Sequence, residues 1–160
     1  MPDTETRRNR VFLVVVDDSP ERAVALKYAA LRAKKSGGRV ALLRVLEPAD
    51  QTEWAGIGAL MAEERRTEAE QLLNGLAAQV NEITGGLPIL LIREGDPREE
   101  LLKLLAEDPR MSILVLAAAP GNSGPGPLIS ALTGRYAARL RVPLTVVPAN
   151  LSEQELDRVT

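Results

Sequence analysis

The chain has no cysteine and no histidine among its 160 residues. Without cysteine there is no disulfide framework, no thiolate nucleophile and no thiolate metal ligand. Without histidine the commonest general base is missing, as are the usual zinc and non-haem iron ligands. Ser-His-Asp and Cys-His arrangements cannot be assembled. Lysine is confined to Lys27, Lys34, Lys35 and Lys103, so the last third of the chain has no ammonium group to hold a phosphoryl group. Aromatic residues make up only 2%, which leaves aliphatic side chains and alanine to fill a core. A formal net charge of −2 offers no overall basic field to nucleic acid. Unbroken apolar runs such as Val11 to Val16 are far too short to cross a bilayer. The sequence therefore predicts neither a nucleic-acid nor a membrane partner.

What is present reads as one ordinary globular domain, with 45% apolar and 26% charged residues. Arg7, Arg8 and Arg10 precede the first apolar stretch as in a secretory signal. That stretch ends at Asp17 with no small-residue cleavage site behind it. The expectation is a flexible tail over 1–9, one α/β domain over 10–150 and a polar tail over 151–160 with room for one helical turn or two, in a cytoplasmic protein.

Along the chain, β-branched and aliphatic runs alternate with helical periodicity. Arg10 to Val16 is a first strand with the continuous apolar character of a central parallel strand. Asp17-Asp18-Ser19-Pro20 stops it, Ser19 being a good N-cap and Pro20 suiting a first helical position, and a helix follows to Lys35. Arg39 to Leu46 is a second strand. After an irregular stretch, Ala49 to Leu60, a helix is predicted from about Met61 to Thr84. Leu87 to Ile92 is a third strand, and Asp96 with Glu99 makes a capping-box-like start to the next helix. Ser112 to Leu116 is a fourth strand. A glycine- and proline-rich loop, Pro120 to Pro127, precedes a helix from about Leu128 to Leu140, and Val142 to Val147 is a last strand. Strictly alternating elements predict a mostly parallel sheet covered on both faces, with ligands bound beyond the carboxyl ends of its strands.

Val14-Val15-Val16-Asp17-Asp18-Ser19, Leu42 to Leu46, Gly95-Asp96-Pro97, Ile113 to Leu116 and Arg141 to Pro148, in this order and spacing, resemble the universal stress protein family over nearly the whole chain. The resemblance implies a doubly wound five-stranded parallel sheet in the order 3-2-1-4-5. It also implies frequent dimers paired through the last strand, here Leu144 to Val147. Some members of the family bind ATP and others do not. In the binders an aspartate after strand one and a valine in strand two hold the adenosine, and Asp17 and Val45 match them. A purely local role for Asp17 is an Asx-type turn that caps the next helix. The binders also carry a phosphate-cradling loop, Gly-x2-Gly-x9-Gly-[Ser/Thr]. Gly121, Gly124 and Gly134 reproduce its spacing, with Arg135 in place of the hydroxyl. A gapless register from strand four instead sets Ala117, Pro120, Ser130 and Ala131 at those positions. Gly126 is a further permissive residue just before the helix. ATP or AMP is the implied cofactor, with no catalytic residue and no metal ligand. A family member without nucleotide, acting as a dimeric scaffold, is the alternative.

Two other classes of function draw on the same residues. A phosphoacceptor receiver would use Asp17 and Asp18 for Mg²⁺ and Asp96 as acceptor, but it lacks a lysine near the last strand. A hydrolase would pair Asp17 with Asp18 or Glu47. Trp54, with Ile57, Leu60 and Met61, reads as an interaction patch or as a loop pinned to the core.

Overall fold

The computed structural model describes residues 10–48 and 55–160. Trp54 and the tail over 1–9 lie outside the described residues. Five strands, β1 (Val11–Val15), β2 (Arg39–Leu46), β3 (Ile89–Glu94), β4 (Met111–Ala117) and β5 (Leu144–Val147), form one sheet in the order β3-β2-β1-β4-β5. Every pairing is parallel. All five residues of β1 are buried, which is why its sequence is an unbroken apolar run and why it takes the middle of the sheet.

The two-residue period of the strands divides the core in two. Phe12 and Val14 point with Val40 and Leu42 toward α1 (Arg22–Ser36) and α2 (Ala55–Thr84). Leu13 and Val15 point with Ala41, Leu43 and Leu114 toward α3 (Pro97–Glu107) and α4 (Pro127–Thr133). The first core is built on small side chains, Ala25, Ala29, Ala30 and Ala33, which let α1 lie close against the strands. The second is built on Leu101, Leu102, Leu104 and Leu105 of α3. Burying each such leucine contributes roughly 1.5–3 kcal/mol, so a chain poor in aromatics still closes a core on both faces.

Several element boundaries differ from the sequence expectation. Ser19 does not cap α1: a turn carries the chain through Pro20, and the helix starts at Arg22 with Glu21 as an N-cap that makes no side-chain bond. Helix α2 begins at Ala55, earlier than Met61, so Gly58 and Leu60 are helical. Strand β3 starts two residues late because Pro88 has no N–H for the ladder, and it then pairs from Ala41↔Ile89 to Leu46↔Glu94. The helix expected over 128–140 is broken. It leaves helical geometry at Gly134 (φ −111, ψ −109) and resumes as a 3-10 turn at Ala137–Arg139. Glycine is the residue that most weakens a helix interior short of proline. The segment 151–160 carries α5 (Glu153–Val159), closed by a Ser152/Glu155 capping box. It docks on α1 through buried Leu156, with Lys27 paired to Glu153 at 2.6 Å and Lys35 Nζ donating to the Asp157 carbonyl at 2.7 Å.

Candidate functional site

Between β1 and β4 the order of the sheet reverses, and the carboxyl ends of β1, β2 and β4 open there onto two adjoining clefts. The last contact of the first strand is Val16 N–H donating to the Leu43 carbonyl at 2.7 Å. The chain then turns away at Asp17. Its Oδ1 accepts from the Ser19 N–H at 3.0 Å and from the Ser19 hydroxyl, an Asx turn. The carboxylate therefore shapes the turn without reaching the N-terminal amides of α1. Its Oδ2 has no protein donor among the described residues, and the side chain is exposed.

The first cleft, about 280 Å³, lies between the Asp17 turn, the start of α1 and the Gly126-Pro127-Leu128 segment. Ala117 lines it at the end of β4. The second cleft, about 270 Å³, lies over β2, where Val45 and Asp17 face each other's neighbourhood and Pro97 closes one side. Asp17 lines both.

Two arginines that the sequence reading passed over complete the site. Arg22 lines the first cleft and donates from Nη1 to the Asp17 carbonyl. Arg44 lines the second, with Nη1 on the Val16 carbonyl at 3.0 Å and Nη2 on Asp18 Oδ1 at 3.1 Å. Its Nε is buried with no acceptor. Each carried a signal in the sequence. Arg44 interrupts an otherwise apolar strand, and Arg22 stands in a first helical turn, where the helix dipole favours anions.

The loop after β4 is pinned at both ends. Ala118 N–H donates to the Val147 carbonyl and Ala119 N–H to the Pro125 carbonyl, each at 2.9 Å. Between these anchors Gly121, Gly124 and Gly126 have φ of 90, 93 and 107. A side chain at Gly121 or Gly124 would meet nothing within 4 Å, so backbone conformation, not close approach, requires glycine there. Their amides have no protein acceptor among the described residues.

The structure brings together only part of the set expected from sequence. Asp17, Val45, Ala117 and Gly126 line the clefts; Gly121 and Gly124 sit in the loop beside them and line neither. Ser130 is an exposed residue one turn into α4, its amide already bonded to the Gly126 carbonyl at 3.0 Å. Gly134 is not at the loop at all. It ends α4, about 7–8 Å along the helix beyond Ile129, the last cleft-lining residue. Gly121, Gly124 and Gly134 therefore form no single cradle, and in the gapless register Pro120 has no N–H to offer.

At the end of β3, Asp96 accepts from the Arg98 and Glu99 amides, at 3.0 and 3.2 Å, and caps α3. The Arg98 side chain bonded to it holds its pKa below the ordinary 3.8. Glu99 does not close the expected capping box. It forms a two-pronged pair with Arg139, both contacts 2.9 Å, which likewise lowers its pKa. Asp96 is thus committed to the helix. Among the described residues no group of three or more acidic side chains is placed to hold a metal, and no helix is long and apolar enough to cross a membrane.

A doubly wound parallel sheet has paired clefts at its switch point here, joined by one strand-end aspartate, the place where open α/β sheets generally take their ligands. Residues 8–148 match the universal stress protein family, and the chain belongs to it. Its fold is that of universal stress protein UspA from Lactobacillus plantarum, at 18% identity and TM-score 0.72 over 88% of this chain and 98% of that one. A universal stress protein family protein from Arabidopsis thaliana, solved with AMP bound, is similar at 14% identity and TM-score 0.59 over 88% and 92%. A universal stress protein in complex with cAMP matches at 15% and 0.60, over 88% and 98%. No curated protein matched the sequence.

Proposed function

We propose that this chain is a binding module for an adenine nucleotide, ATP or AMP, held across the two clefts with Asp17 between them. The observation that carries this reading is that Asp17 lines both. Small-molecule sites run to roughly 300–1,000 Å³. Each cleft alone, at about 280 and 270 Å³, falls just below that range, whereas a ligand bridging them uses both. Val45 offers a flat apolar contact to a base. The unpartnered Oδ2 of Asp17 accepts from ribose hydroxyls. The phosphate side lies toward Gly126 and the open amides of the loop after β4. AMP and cAMP in two proteins of similar fold support the same ligand class. With neither histidine nor cysteine in the chain, the reading is of a binder, not of an enzyme. Calorimetric titration with ATP and AMP tests it. Saturable heat with at least one nucleotide, and an affinity about tenfold or more weaker in Asp17→Ala, is expected. No saturable heat with either overturns the reading.

The module is proposed to act as a homodimer through β5. That strand is the outer edge of the sheet, it is only four residues long, and Val146 on it is 42% exposed. An apolar parallel edge invites pairing with another chain, and a second copy protects it. Light scattering at micromolar concentration should give the mass of two chains. A monomer would contradict the pairing, and loss of nucleotide binding with the dimer intact would favour the scaffold reading.

A further inference from the structure

We infer that the site selects nucleoside monophosphates over triphosphates, with Arg22 as its phosphate ligand; this rests on the nucleotide reading above. The first ground is charge. The two clefts are lined by the carboxylates of Asp17, Asp18, Glu21 and Glu47 against the guanidiniums of Arg22 and Arg44, a net charge of −2. Arg44 is already engaged, by Asp18 and the Val16 carbonyl. Arg22 has no carboxylate within ion-pair distance among the described residues, and its one bond is to a neutral carbonyl. A guanidinium has five N–H donors, so most of the fork is open to a ligand.

The second ground is position. Among the described residues Arg22 is the one cation lining the first cleft, the side on which Gly126 stands. It also opens a helix, where the macrodipole disfavours a positive charge. A local choice that opposes the backbone field, at a cleft, is the mark of a residue kept for its ligand. An incoming phosphate reverses the sign of that local cost, since it sits well with both the guanidinium and the helix end.

The third ground is capacity. A phosphomonoester carries about −1.5 to −2 near neutral pH, which one guanidinium and a few amides can balance. A triphosphate brings two further ionised groups into a lining that is already net negative, with no lysine among its residues. The glycines after β4 offer no fuller cradle, because Gly134 stands at the far end of α4. Arg22 replaces part of what that loop does not supply.

The test is calorimetric titration of the full chain and of its Arg22→Gln and Arg22→Lys variants with AMP, ATP and adenosine, with and without Mg²⁺. Inorganic phosphate is followed separately by amide shifts. We expect AMP to bind about tenfold tighter than ATP under both conditions. The AMP-to-adenosine affinity ratio should collapse toward one in Arg22→Gln and persist in part in Arg22→Lys. ATP binding as tightly as AMP, or a ratio unchanged in Arg22→Gln, overturns the inference while leaving nucleotide binding intact. If the native chain binds no adenine compound, the nucleotide reading fails and the phosphate arm decides. Phosphate shifts around Ala25 and Gly126 that vanish in Arg22→Gln keep Arg22 as an anion ligand, and their absence in the native chain removes it.

Discussion

Two aspartates end parallel strands in this molecule, and they do different work. Asp96 follows β3 and is succeeded at once by Pro97, which opens α3; the carboxylate lands at the N-cap, accepts two amides and is bonded to the Arg98 side chain. Asp17 follows β1, but the proline comes three residues later and α1 starts only at Arg22. Its carboxylate closes on Ser19, keeps one oxygen open and lines two clefts. The arginines differ in the same way. Arg98 neutralises its aspartate, whereas Arg22 touches only the main-chain carbonyl of Asp17. The same residue types at equivalent strand ends are thus divided by where the helix starts: immediate capping commits the aspartate to the helix, and a delayed start leaves one carboxylate oxygen of Asp17 without a protein donor among the described residues.

Exchanging the two roles is the sharpest way to break that contrast. Asp17→Ala should lower nucleotide affinity by about 10- to 100-fold, the loss of a charge-assisted bond of roughly 1.5–3 kcal/mol, with little change in the melting curve. Asp96→Ala should do the reverse, removing about 1 kcal/mol of stability through the lost cap while leaving affinity alone. Denaturant titration and calorimetry on both variants separate these outcomes; equal destabilisation by the two would erase the distinction. The smallest effect is in acid. The folded-state pKa of Asp96 lies below its ordinary 3.8, so its contribution is fully present above that value and is lost as pH falls through the folded value. Asp96→Asn should flatten that part of the stability–pH curve, which acid denaturation followed at a series of pH values checks.

The comparison also marks what was legible in the sequence. The β1 run, the Asp96 cap and the alternation of strands with helices are local patterns, and local patterns survive folding. The parallel sheet followed from that alternation, and its strand order from the resemblance to the family that the fold now bears out. Asp17 stands at the end of a readable strand, whereas Val45 is singled out only by the resemblance to the family; both line the clefts. The helix over 128–140 was misread because its apolar spacing continues past Gly134, where the backbone does not. The end of the chain reads as a polar tail with a helical turn or two, because its apolar anchors, Leu151 and Leu156, gain meaning only when α1 and the first core are there to receive them. Arg22 and Arg44 were missed for a related reason. A charge in a strand and a cation in a first helical turn are weak signals alone, and only the convergence of β1, β2 and α1 brings both beside Asp17.

The most direct test of the central claim, that Asp17 joins two clefts into one nucleotide site, is a crystal structure of the chain grown with AMP. The ligand should span the carboxyl ends of β1 and β2, with its base against Val45, a ribose hydroxyl on Asp17 Oδ2 and its phosphate between Arg22 and Gly126. AMP bound elsewhere on the surface, or confined to one cleft with Asp17 Oδ2 untouched, would contradict it.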